Sequence, residues 1–215
     1  MLDEAELRAS LVHRLVADGV VRSPAVAHAM GTVQRHRFVP DVDPAEAYAD
    51  ESLVRKTANG EVVSTISQPR MVATMLELAR VDPGARVLEL GTGTGYNAAL
   101  LAELAGPTGI VVSMEIDEEL AATARAVLGS EGYTTVRVLV GDGWAGMPAL
   151  SPFDAIVVTA AADETAPAWS AQLAPHGRLV VPFGRRNVAV AFEKRDGDLV
   201  AVGSVPAHFV PLRHP

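Results

Sequence analysis

Residues Val87 to Tyr96 read VLELGTGTGY, a short apolar run that breaks onto glycines at alternate positions. A buried strand that ends in glycines and restarts as a helix points to an open α/β sheet, whose ligands lie at the carboxyl ends of the strands. The flanking sequence keeps that rhythm. Strands are expected at 86–90, 110–114, 136–140, 154–159 and 178–181, alternating with helices at 96–105, 117–128 and 166–173. Repeated strand–helix units imply a mostly parallel sheet with right-handed crossovers. The apolar stretches 188–194, 199–205 and 208–212, joined in part by Asp196-Gly197, read as antiparallel edge strands.

Ahead of this core the pattern is helical. Leu7, Leu11 and Leu15 recur every four residues, Asp18-Gly19 ends that helix, and Ser23-Pro24 opens another that runs towards His36. Ser67-Gln68-Pro69 opens a third, on which Val72, Met75, Leu76 and Ala79 share a face and Ser67 is the expected N-cap. Residues 41–64 read as polar and irregular, with Asn59-Gly60 a turn signal; a loop of that length in a compact protein is more often functional than idle. The expected division is an N-terminal helical segment with this loop over 1–66 and a core over 67–215.

Composition narrows the chemistry. The 215 residues include no cysteine, which excludes disulfides, thiolate metal sites and any mechanism built on a cysteine nucleophile, including thiol attack on a pyrimidine. The six histidines have no metal-ligand spacing, so no metal is expected. A formal charge of −8 without a dense basic cluster argues against nucleic acid as a partner. No apolar run is long enough to span a bilayer, and MLDEAELRAS lacks the basic and apolar regions of a secretory signal, so a cytoplasmic protein, a monomer, is expected.

The glycine loop carries the first functional reading. Gly91, Thr92, Gly93 and Thr94 lie between strand and helix, where glycines let a ligand approach the backbone closely. A dinucleotide fingerprint would need a third glycine where Tyr96 stands, which weakens a nicotinamide-cofactor reading. Glu115, followed by Ile116, ends the next strand, where a carboxylate can accept both ribose hydroxyls. Asp142, between Gly141 and Gly143, ends the third and is placed to accept from an adenine amino group. The loop has no Lys or Arg to meet phosphates. The ligand this set suits is a nucleoside without a pyrophosphate, and S-adenosylmethionine, with its product S-adenosylhomocysteine, is the cofactor expected. Trp144 and Trp169 read as packing residues.

Taken together, several blocks resemble the protein-L-isoaspartate (D-aspartate) O-methyltransferases. Arg37-Phe38-Val39-Pro40 is similar to the family's R-x-x-F-V-P element, and Thr65-Ile66-Ser67-Gln68-Pro69 to its specific T-I-S-x-P signature. Leu88 to Tyr96, Glu89 included, resembles the cofactor loop. Further blocks at 141–144, 153–161, 177–182 and 209–212 extend the likeness over almost the whole chain. The resemblance implies a class I methyltransferase (Rossmann-like) fold: a doubly wound, seven-stranded sheet with antiparallel C-terminal edge strands and an N-terminal helical subdomain. It also implies methyl transfer to the carboxylate of an isoaspartyl or D-aspartyl residue in a damaged protein or peptide, with Ser67 as the active-site serine. Val210 and Pro211 fall where the family offers main chain to the substrate, and His208 lies beside them.

The chemistry agrees. A carboxylate is already ionised at neutral pH and needs no general base, while hydroxyls such as Thr65 and Ser67 can orient it without neutralising it. One segment departs from the family. Its members carry a short glycine-containing lead before T-I-S, whereas here Val54 to Ser64 is longer and charged. That departure resembles the branch that esterifies an aspartate side chain of a dedicated ribosomal peptide, which can then close to an aspartimide. A non-catalytic nucleoside-binding protein is a further alternative, which predicts no turnover on any carboxylate peptide, and an oxidoreductase, which would bind NAD and not S-adenosylhomocysteine, is the last.

Overall fold

The structure, a computed structural model, describes residues 2–214. Its centre is a seven-stranded sheet. Strands β3 (Arg86–Leu90), β4 (Ile110–Glu115), β5 (Val136–Val140), β6 (Phe153–Val158) and β7 (Leu173–Phe183) run parallel, and β8 (Val188–Arg195) and β9 (Asp198–Pro206) close one edge antiparallel. The spatial order β5-β4-β3-β6-β7-β8-β9 makes the chain reverse direction across the sheet between β3 and β6. The glycine loop leaves the sheet at that switch point, where the mouth of an α/β sheet opens.

Alternation along β3 sends its side chains to two cores. Val87 joins the larger one, with α4 (Pro69–Ala79), α5 (Tyr96–Ala105), α6 (Glu118–Ser130) and the N-terminal helices α1 (Glu4–Ala17) and α2 (Pro24–Thr32). Leu88 and Leu90 join the other, where α7 (Pro167–Gln172) seats the fully buried Trp169, whose indole N–H donates to Gly143 O at 2.9 Å. Trp144 stands edge-on to it at 5.4 Å, so both tryptophans pack as expected.

Three local expectations are corrected. The helix from Pro24 stops at Thr32, not near His36: Gly31, Thr32 and Val33 are poor helix formers, and Val33 turns extended and buries. The segment 41–64 is not irregular throughout. It holds a short helix α3 (Pro44–Ala47) and a hairpin of β1 (Leu53–Ala58) and β2 (Glu61–Ile66). Asn59 and Gly60 both have positive φ, 52° and 82°, the backbone that a two-residue hairpin turn requires. Finally, 208–212 is no strand. Pro211 removes a ladder donor, and the pairing of this segment is an isolated bridge from Pro211 to Ala161.

Candidate active site

The switch-point cleft is about 940 Å³, mouth included, and three parts of the chain line it. The glycine loop and the ends of β4 and β5 form the floor, the end of β2 with Ser67 forms one wall, and Phe209–Arg213 form the other.

The floor is tightly specified. Gly91 has φ +103°, and a Cβ there would stand 2.5 Å from Thr159 Oγ1, which itself donates to Gly91 O. No other residue meets both conditions. Gly93 N–H donates to Glu115 Oε2 at 2.9 Å, and Asp117 N–H donates to Oε1 at 3.1 Å. Each Glu115 oxygen keeps acceptor capacity, and the side chain sits in the cleft while 6% exposed. Thr92, Thr94, Tyr96, Ile116, Gly141 and Gly143 also line the cleft. Gly95 is the N-cap of α5 and has no side chain; Thr94 Oγ1 accepts from Tyr96 N–H at 3.4 Å, while the Asn97 and Ala98 amides have no partner among the described residues, which suits an anionic group. An acceptor for hydroxyls, free amides and apolar Met114, Ile116 and Leu120 suit a nucleoside carrying an amino-acid tail.

Three expected residues lie off the cleft. Glu89 faces the α5 side of the sheet and is fully buried. It accepts from Asn97 Nδ2 at 2.8 Å and from the Ser113 hydroxyl, which also meets Thr92 Oγ1 at 2.6 Å. Burial pushes its carboxyl up to about 7, against the pull of those two donors. Glu89 therefore supports the loop from beneath. Asp142 stands between two lining glycines but caps the turn that follows, Oδ1 accepting from Trp144 N–H at 2.8 Å. His208 is exposed and outside the lining.

The acceptor wall carries the most informative correction. Ser67 is not the N-cap of α4; Gln68 is. Pro69 occupies the first helical position and bars the residue before it from helical geometry, so the cap must be the residue next to the proline. Ser23, directly before Pro24, does cap α2. Ser67 is one residue further back. Its hydroxyl, like that of Thr65, has no hydrogen-bond partner among the described residues, and both line the cleft half-buried. On the facing wall, Val210 O accepts from Ala161 N–H at 2.7 Å, and Leu212 N–H donates to Ala161 O at 2.7 Å. Among the described residues Val210 N–H and Pro211 O have no hydrogen-bond partner.

The sequence matches the protein-L-isoaspartate(D-aspartate) O-methyltransferase family over residues 6–214. The chain belongs to this family. It is 45% identical over 195 residues to the protein-L-isoaspartate O-methyltransferase of Gloeobacter violaceus, covering 89% of this chain and 91% of that one. The enzyme of the same name from Anaeromyxobacter dehalogenans is 46% identical over 199 residues, covering 90% and 91%. A solved protein-L-isoaspartate O-methyltransferase superposes with a TM-score of 0.88 at 34% identity, over 96% of this chain and 66% of that one. A Plasmodium falciparum structure described as a putative member, in complex with S-adenosyl-L-homocysteine, shares the fold at a TM-score of 0.81 and 22% identity, over 96% and 98% of the two chains. The family is one of S-adenosylmethionine-dependent carboxyl methyltransferases, and the floor described above fits that cofactor.

Two features of the site were missed in the sequence, the second of them legible there. Lys56 of β1 donates to Asp117 Oδ2 and Glu119 Oε2, both at 2.8 Å, tying the hairpin to the N-terminus of α6. Asp117 also caps that helix, and the lysine beside it holds its carboxyl below the usual range. The second is Arg35. The arginine three residues before Phe38, as R-x-x-F-V-P spacing demands, is Arg35, fully buried, whereas Arg37 is largely exposed.

Proposed function

We propose that the protein transfers the methyl group of S-adenosylmethionine to the carboxylate of an L-isoaspartyl or D-aspartyl residue in a protein or peptide. The observation that carries this reading is Ser67: a hydroxyl released from capping, without a partner among the described residues and half-buried in the cleft that the glycine loop floors. The relatives' names support the isoaspartyl acceptor.

The cofactor supplies, when bound, a sulfonium methyl open to in-line displacement. Glu115 would hold the ribose hydroxyls, and the amides of the glycine loop and the first turn of α5 would hold the amino-acid tail. Ser67 and Thr65 donate to the acceptor carboxylate, which leaves one oxygen lone pair directed at the methyl. The carboxylate loses no proton, so no base is required, and the residues at the cleft contribute by orientation and exclusion of water. Walls from β2 and Phe209–Arg213 closing over the floor serve that exclusion.

Matched isoaspartyl and aspartyl peptides incubated with labelled cofactor test the reading. Methyl incorporation should favour the isoaspartyl peptide, and equal labelling of the two would sink it. Ser67→Ala should abolish turnover while S-adenosylhomocysteine binding persists; loss of both would place Ser67 in the fold rather than the chemistry. One observation favours a second reading, esterification of an aspartate side chain in a dedicated peptide. The β1–β2 hairpin stands where the family has a short lead and would shape a narrower acceptor entrance. Labelling of the aspartyl peptide alone would support that alternative.

A further inference from the structure

Arg35 is 0% exposed, and among the described residues no carboxylate lies within ion-pair distance of it. The acid whose field it feels, Asp50, is taken by Arg70 at 2.9 Å. Its guanidinium donates from Nε to Ala47 O at 2.8 Å and from Nη2 to Ser67 O at 3.0 Å, and lies over the Tyr96 ring with Cζ 5.0 Å from the centroid. Nη1 is buried without a hydrogen-bond partner. Ser67 and Tyr96 both line the cleft, so this cation sits directly behind the acceptor wall.

Two carbonyls, the Tyr96 ring and the neutral phenols of Tyr96 and Tyr48 are weak compensation for a buried full charge. A tie between segments alone would be served by an uncharged donor. A guanidinium whose Nη1, with both its N–H, is unpartnered leaves positive potential on the residues in front of it, and the group expected in front is an anion. Backbone geometry adds to this. The Ser67–Gln68 peptide is trans, so its N–H points away from the carbonyl that Arg35 holds. That Gln68 N–H has no acceptor among the described residues. Polarising the peptide through its oxygen strengthens the N–H as a donor.

We propose that Arg35 is a positioning residue for the acceptor carboxylate: acting through Ser67, it fixes the serine and supplies the buried positive charge that draws the carboxylate to it. The inference rests on the carboxylate acceptor proposed above. It has a kinetic corollary. Methyl transfer neutralises the carboxylate, so a fixed cation favours bound substrate over both transition state and ester product. Its location behind the serine limits that penalty, and its removal raises KM more than it lowers kcat.

The test measures affinity for an acceptor peptide and for its methyl ester, both in the presence of S-adenosylhomocysteine, using isoaspartyl and aspartyl versions. In Arg35→Met the preference for carboxylate over ester should fall about tenfold, the size expected of a charge acting across one residue's thickness of protein. Arg35→Gln, which retains donors for the two carbonyls, should show the same fall, and it serves if the methionine variant does not fold. Arg35→Lys should keep most of the preference. Equal loss of affinity for acid and ester would overturn the proposal and leave Arg35 a structural tie, as would an unchanged ratio. Binding of the aspartyl peptide alone would remove the isoaspartyl reading while the acid-to-ester ratio still judged Arg35. If the unmodified protein binds neither acid, both fail.

Discussion

Glu89 should make the protein less stable as pH rises towards neutrality, opposite to the usual behaviour of a carboxylate. It is fully buried beneath the glycine loop, and burial outweighs its hydrogen bonds to Ser113 and Asn97, taking the carboxyl to about 7 from an ordinary 4.5. Between those values the folded protein holds a proton that the unfolded chain has released. Stability therefore falls with pH across that window. The contribution is fully present below the unfolded value and is lost as pH passes 7. At about 1.4 kcal/mol per unit, the loss between pH 5 and 8 is about 2.5 kcal/mol. Glu89→Gln has the same shape, can accept from Asn97 and can donate to Ser113, but does not titrate. Urea unfolding of both proteins from pH 5 to 8 reads the difference directly, because every other titrating group is common to the two. The gain in stability of the glutamine variant over the native protein should grow by about 2.5 kcal/mol across that range. Parallel stability curves, diverging by less than about 1 kcal/mol, would refute the argument that burial dominates at Glu89.

The same carboxyl links to the cofactor. A sulfonium cation entering the cleft favours ionised Glu89, so S-adenosylmethionine affinity should rise several-fold from pH 6 to 8 while that of uncharged-sulfur S-adenosylhomocysteine changes less; calorimetry with both, repeated on Glu89→Gln, checks this. Lys56→Met should speed S-adenosylhomocysteine release several-fold in stopped-flow and abolish its acceleration by salt, since the bonds to Asp117 and Glu119 tie the hairpin beside the cofactor site. Gly91→Ala should cost about 2–3 kcal/mol by thermal unfolding and weaken cofactor binding, because the new Cβ meets Thr159 Oγ1 at 2.5 Å on a backbone of φ +103°.

Much of this protein was written locally. The strand–glycine–helix unit at Val87–Tyr96, the parallel strands after it and the antiparallel edge follow from hydrophobic period and turn residues, which act over a few positions. Glu115 was equally legible, because a residue that ends a parallel strand must stand at the ligand edge of the sheet. The hairpin could have been read from Asn59-Gly60 between two β-branched runs; the charges of Arg55, Lys56 and Glu61 obscured it.

What the tertiary structure alone decided concerns direction and company. Glu89 and Glu115 are both strand carboxylates on one face of the sheet, since Glu89 pairs with Ser113 and Glu115 follows two residues later; Glu89 lies within β3 under α5, whereas Glu115 is the last residue of β4 and reaches the cleft. Ser67 and Gln68 compete for one cap, and the adjoining proline settles it in a way that leaves the serine hydroxyl uncommitted in the cleft. Arg35 is separated from Ser67 by 32 residues and from Tyr96 by the whole of α4 and β3, so no local pattern could pair them. A buried charge is selected by the groups that long-range folding gathers around it, and those are invisible until the chain has closed.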